Sequence, residues 1–206
     1  MTYSIRPMVN EDIEQVNEID QEAFPTQWPP ANYRQEMQNK IAHYLVVYDD
    51  TRVFKYSTPF PKKQSNKFLW LFPWRIPHRS AETPLLTHFY IAGFAGIWMM
   101  VDEAHVTNLA VRQEYRGKGI GELLLLATVD LADELKASFM TLEVRASNLV
   151  AQSLYRKYGF VEMGVRRGYY LDNREDAVIM STEILTSPSF KERISQLREA
   201  LKNKLS

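Results

Sequence analysis

The chain has 206 residues, 45% of them hydrophobic, with 25 basic and 25 acidic side chains, enough for one packed core and with no charge excess to hold a polyanion. It contains no cysteine, which excludes disulfides, a thiolate nucleophile and thiolate metal sites. The N-terminus lacks the apolar stretch of a secretory signal, and no run nears the ~18 apolar residues of a membrane span, so a cytoplasmic protein is expected.

Tyr3 to Pro7 reads as a short first strand. Asn10 offers an N-cap to a helix carrying Ile13, Val16 and Ile19 at helical spacing. The run Phe24-Pro25-Thr26-Gln27-Trp28-Pro29-Pro30 ends that helix, and a second short one is predicted from Asn32 to Asn39. His43 to Tyr48 reads as a strand, Phe89 to Val101 as a long one, and His105 to Val111 as the next after a turn at Asp102-Glu103. A helix follows from Gly119 to Lys136, then a strand from Phe139 to Val144 and a helix from Asn148 to Tyr158. Phe160 to Arg166 and Ala177 to Glu183 read as the last strands, with turn chemistry at Asp172-Asn173-Arg174. From Pro188 onward a terminal helix is predicted, with Phe190, Ile194, Leu197 and Leu201 on one stripe. Early and late strands adjacent in sequence, with helices between the middle ones, predict a mixed sheet in an α/β layer fold.

The segment Thr51 to Ser80 stands apart. It carries Arg52, Lys55, Lys62, Lys63, Lys67, Arg75 and Arg79, no acid, and the run Phe68-Leu69-Trp70-Leu71-Phe72-Pro73-Trp74. It either folds back over its own domain, docks on RNA or an acidic protein, or contacts anionic lipid, where tryptophan and lysine both favour the interface.

Arg116-Gly117-Lys118-Gly119-Ile120-Gly121 lies between a strand and a helix. Its glycines leave backbone N–H groups open, and the helix that follows adds the positive end of its dipole, a combination suited to a phosphate-bearing ligand. It is not a Walker loop, since Lys118 is followed by Gly119 and Ile120 rather than by Ser or Thr. Nor is it a dinucleotide fingerprint: the spacing is G-x-G-x-G, and five residues separate it from Val111. His43, His78, His88 and His105 show no metal-ligand spacing, so no metal is expected, and His105 reads as a strand histidine. No Ser-His-Asp order suggests a triad.

The pattern Arg-x-x-Gly-x-Gly at Arg116, Gly119 and Gly121 resembles the acetyl-coenzyme A (acetyl-CoA) loop of the GNAT acetyltransferase superfamily. Further blocks continue the likeness in order: Leu142-Glu143-Val144-Arg145-Ala146-Ser147-Asn148, Leu154-Tyr155-Arg156-Lys157-Tyr158-Gly159-Phe160, Arg166-Arg167-Gly168-Tyr169-Tyr170 and Arg174 to Met180. They are similar to the ribosomal-protein alanine N-acetyltransferases and their N-terminal acetyltransferase relatives, closely over Asn108 to Ser181 and loosely over Tyr3 to Tyr48.

This resemblance implies a GNAT domain over residues 1–186 and a C-terminal helix over 187–206, with an insert at about 51–86. Its sheet is mixed but mostly antiparallel, of about seven strands flanked by about four helices and splayed at the cofactor site. It implies acetyl-CoA as co-substrate. Leu109, Ala110 and Val111 bond the pantetheine arm, the N–H groups of Gly117, Lys118, Gly119, Ile120, Gly121 and Glu122 hold the pyrophosphate, and Arg116 and Lys118 add charge. Asn148 contacts the cofactor, though as a bare residue it is equally a helix N-cap.

Glu143 is implied as general base and Tyr155 as the acid that protonates the departing thiolate. Phe24, Pro25, Trp28, Tyr169 and Tyr170 are implied to shape the acceptor mouth. The bare alternatives are a structural Glu143 paired with Arg145 or Arg166, and a Tyr155 that only packs. The expected acceptor is a protein N-terminus, with a ribosomal protein favoured. The rivals are acetylation of a lysine side chain, polyamine or other small amine, and a non-catalytic CoA-binding adaptor docking through the insert.

Overall fold

The computed structural model describes residues 3–26, 31–54 and 88–205. Trp28 and positions 55–86 of the expected insert lie outside them.

Among the described residues, seven strands form one sheet: β1 (Tyr3–Pro7), β2 (Ala42–Phe54), β3 (His88–Met100), β4 (Glu103–Val111), β5 (Phe139–Arg145), β6 (Val161–Tyr170) and β7 (Glu175–Ser181). Their order is β1-β2-β3-β4-β5-β7-β6. Every neighbouring pair is antiparallel except β4 and β5, which are parallel because a helix carries the chain between them. The helices are α1 (Ile13–Ala23), α2 (Tyr33–Glu36), α3 (Ile120–Glu134), α4 (Leu149–Lys157) and α5 (Pro188–Leu205). This is the mixed, mostly antiparallel architecture expected. Among the described residues, no helix is long and apolar enough to cross a membrane.

The two sheet faces carry different helices. Val16 and Ile19 of α1 and Tyr33 of α2 pack with Tyr44, Val46, Ile91 and Phe94. On the opposite face, Leu125 and Val129 of α3, Tyr155 of α4 and Phe190, Ile194 and Leu201 of α5 share a core with Leu142, Val144 and Met180. Three of the four residues on the predicted α5 stripe are therefore buried, and Leu197 is partly so. Two hydrogen bonds from Arg198 to Asp130, 2.6 and 2.9 Å long, fasten α5 to α3.

Two local expectations are corrected. Asn10 does not cap α1; it begins a 3₁₀ turn, Asn10–Asp12, ahead of the helix. The buried Asp12 stands at the N-cap position of α1 without a side-chain capping bond; its carboxylate instead closes the 3₁₀ turn by accepting the Val9 N–H at 2.8 Å, while Arg6 donates to both of its oxygens. Likewise the strand expected to end at Tyr48 runs on through Thr51 to Phe54. These residues extend β2, with Val53 opposite Phe89 and Phe54 opposite His88. A register shift between Asp49 and Val53 accommodates the polar residues that masked the strand.

Candidate active site

The sheet opens at its one parallel seam. Pairing of β4 with β5 runs from Glu103 opposite Phe139 to Val106 opposite Leu142 and then stops. β4 continues on β3 as far as Val111, and β5 continues on β7 as far as Arg145. Thr107 is an extra residue in β4, since Val106 faces Ile97 and Asn108 faces Gly96. Such a bulge sharpens the twist and turns the strand away from its neighbour. Leu109, Ala110 and Val111 therefore have a strand on one side only.

The glycine loop lies at the end of this opening. Gly117 has φ +75° and Gly119 φ +89°, a region that disfavours any side chain. A Cβ on Gly117 would meet nothing within 4 Å, so that point of the loop is open. The N–H groups of Gly117 to Glu122 have no acceptor among the described residues, as the start of a helix requires. The loop's charged side chains turn aside. Arg116 donates through Nε to the Val111 carbonyl at 3.1 Å, and the Lys118 ammonium lies 5.3 Å from the Tyr115 ring centre. Glu122 turns its carboxylate to Lys157, Tyr158 and Lys204, leaving only its backbone N–H for a ligand.

Period-two alternation sets the next residue. Leu142 and Val144 are buried among α3, α4 and α5, so Glu143 projects from the other face. Its side chain is 8% exposed and touches two partners: Arg166 Nη1 at 2.9 Å and His105 Nε2 at 3.1 Å. The other ring nitrogen of His105 lies 2.9 Å from Thr141 Oγ1, and that hydroxyl donates to Glu103. A line of polar atoms thus runs from Glu143 to the partly exposed Glu103.

Tyr155 comes from α4 and is 8% exposed. Burial pushes its phenol above the ordinary range, with the nearby Tyr170 adding to the shift, so it stays protonated at neutral pH. Asn148 caps α4, its Oδ1 accepting the Ala151 N–H at 3.1 Å.

Tyr169 and Tyr170 end β6 with their rings edge to face, 5.1 Å between centres. Burial raises both phenols, Tyr170 to about 12 against the pull of Arg145. Arg145 sits 3.9 Å above the Tyr170 ring and binds Asp172 and Glu175 at 3.0 and 3.2 Å. Bonds from Ser147 hold the Glu175 carboxyl down to about 2. Phe24 closes α1 and packs on the core beneath, while Pro25 is exposed. Thr26, next along, donates to Asp172 at 2.6 Å, which ties the connection after α1 to the β6–β7 turn.

The sequence profile of the Acetyltransferase (GNAT) family matches residues 55–160. A Bacillus subtilis protein assigned as a ribosomal protein bS18-alanine N-acetyltransferase is 35% identical over 178 residues, which span 86% of this chain and 93% of that protein. The chain belongs to the GNAT acetyltransferase family. This GNAT chain is also 31% identical over 183 residues to an N-alpha-acetyltransferase of Sulfurisphaera tokodaii, covering 88% of itself and 93% of the relative. The crystal structure of the ribosomal-protein-S18-alanine N-acetyltransferase from Escherichia coli superposes with a TM-score of 0.65 at 25% identity, covering 90% of this chain and 96% of that one. The protein is therefore an acyltransferase, and GNAT acetyltransferases take acetyl from acetyl-CoA. The open Gly117 and the row of unaccepted N–H groups suit the diphosphate of that donor.

Beside Glu143 lies a residue that no local pattern singled out. His105 read as an ordinary strand histidine, yet its ring contacts Glu143. Finding it needs the register of β4 on β5, which sets His105 opposite Thr141, two residues from Glu143 and on the same face. Of the two arginines weighed as partners for Glu143, Arg166 is the one that touches it, and Arg145 is committed to the β6–β7 hairpin.

Proposed function

We propose that this enzyme transfers acetyl from acetyl-CoA to the free α-amine of a protein N-terminus, with a ribosomal protein as acceptor. One observation carries the reading: relatives matched over more than nine-tenths of their length are named a ribosomal protein bS18-alanine N-acetyltransferase and N-alpha-acetyltransferases. Bound acetyl-CoA supplies an activated thioester.

The chain's own residues do the rest. In this reading the N–H groups of Gly117 to Glu122 hold the diphosphate, and Arg116 and Lys118 add charge by turning to it from Val111 and Tyr115. The free edge at Leu109, Ala110 and Val111 bonds the pantetheine amides, and Asn148 meets the cofactor where α4 begins. Phe24 and Pro25 border the acceptor mouth together with Tyr169 and Tyr170, and Trp28 is assigned to the same mouth by family likeness alone. The amine attacks directly, and Glu143 takes its proton as the C–N bond forms. An α-amine of pKa ~8 is about one-tenth neutral at pH 7, so a carboxylate suffices. His105 and Thr141 lead that proton toward Glu103. Tyr155 gives its phenolic proton to the departing sulfur. The positive charges of segment 51–80 serve docking on the ribosome, which deletion of Gln64 to Arg79 tests by cosedimentation.

The acceptor is tested by incubating the enzyme with acetyl-CoA and matched peptides whose N-termini are free or blocked, the blocked ones retaining a lysine. Acetylation of only the free N-terminus is expected by mass spectrometry. Equal modification of the blocked peptide would replace this reading with side-chain acetylation.

A further inference from the structure

The C-terminal helix reaches the glycine loop. A Cβ on Gly119 would lie 3.1 Å from Leu201 Cδ1, 3.3 Å from Leu205 Cδ2 and 3.8 Å from Lys204 Cε, so the last turns of α5 wall one side of the loop. Lys204 donates to Glu122 Oε1 at 3.2 Å, and Lys157 of α4 donates to Glu122 Oε2. Tyr158 completes the cluster with a 3.0 Å bond to the same Oε2. Two ammonium groups from two different helices therefore converge on one carboxylate in the first turn of α3.

The charges there do not balance. Glu122 neutralises one lysine, while the second ammonium and the positive end of α3 remain. Glu122 needs neither lysine to be stable, because an acid in the first turn of a helix is already favoured by the dipole. The lysine side chains stay 47% and 50% exposed, free at the tip to turn from Glu122 toward an anion beside them. The anion this loop suits is a phosphate.

We infer that Lys204 of α5, together with Lys157 of α4, binds a phosphate group of the CoA nucleotide, so that the C-terminal helix is part of the donor site. Glu122 parks the two ammonium groups until the donor arrives. This rests on acetyl-CoA being held at the glycine loop. It adds a binding residue about eighty positions beyond that loop, on the terminal helix.

The test is titration calorimetry of full-length protein with CoA and with dephospho-CoA, which lacks the ribose 3′-phosphate. Lys204→Gln is expected to weaken CoA binding roughly fivefold, Lys204→Glu further, and Lys157→Gln by a similar factor, with unfolding temperatures within about 2 °C of the parent. A loss seen with CoA alone places the pair on the 3′-phosphate, and a loss with both ligands places it on the diphosphate. Affinities for CoA within twofold of the parent in both Lys204 variants would overturn the inference. Failure of the parent itself to bind CoA would instead remove the donor reading on which it rests.

Discussion

Replacing Glu143 by Gln tests the proposed chemistry with little change of shape. The carboxylate is nearly buried and touches Arg166 at 2.9 Å and His105 at 3.1 Å. The amide keeps the volume and loses the charge. Arg166 is 56% exposed, so its guanidinium can turn to water, and little stability should be lost, about 1 kcal/mol. Removing a general base costs about 10²- to 10⁴-fold in rate, or about 2.7 to 5.4 kcal/mol of barrier. Initial rates of thiol release with a saturating free-N-terminal peptide should therefore fall by that factor, while calorimetry shows CoA affinity within twofold of the parent. The contact with His105 gives a second reading from the same assay. His105→Ala should slow the parent by about tenfold and leave Glu143→Gln unchanged, because a relay cannot act without its first member. A Glu143→Gln rate within threefold of the parent refutes the base assignment. Equal slowing by His105→Ala in both backgrounds refutes the relay.

Tyr155→Phe should lower kcat by about 10²-fold or more and leave stability nearly unchanged, since no described side chain bonds its hydroxyl; a silent kcat would exclude it as the acid. Arg145→Ala removes the bonds to Asp172 and Glu175 and the cover over Tyr170, so KM for the peptide should rise by about tenfold with CoA affinity intact. A change confined to CoA affinity would mean that the β6–β7 hairpin does not border the acceptor. Alkaline pH should weaken the fold. Burial raises the phenols of Tyr33, Tyr44 and Tyr155, so above pH 10 the unfolded chain releases protons that the folded one retains. Their stabilising effect is complete below pH 10 and is lost above it at about 1.4 kcal/mol per pH unit for each such tyrosine. Urea midpoints that stay flat from pH 9 to 11 would contradict this.

The parts of the molecule that were legible in the sequence are those written locally. The glycine loop, the Asn148 cap and the α5 stripe each depend on residues within a turn or two of one another, and the structure has all three in place. The ends of β2 were hidden because Asp49, Asp50, Thr51 and Arg52 break its apolar run, although Val53 and Phe54 resume pairing with β3. The polar line through His105 was invisible for another reason. It joins β4 to β5 across a parallel register that no local pattern encodes, and a slip of one residue would have turned His105 to the opposite face. Glu143 itself was singled out through family likeness; its spacing in the chain distinguishes it from no other strand glutamate. The meeting of Lys157 and Lys204 on Glu122 was hidden because it needs α3, α4 and α5 to be docked together.

The gap between β4 and β5 has a thermal consequence. Beyond Val106 and Leu142 the inner edges of both strands lack the main-chain ladder that an unbroken sheet would have. In the proposed reading a donor molecule lies in that seam and completes the sheet, and at a hundredfold excess over its Kd it adds about 2.7 kcal/mol to the folded state. Heat resistance would then track the supply of activated acetyl, with the enzyme at its softest when its own feedstock runs low.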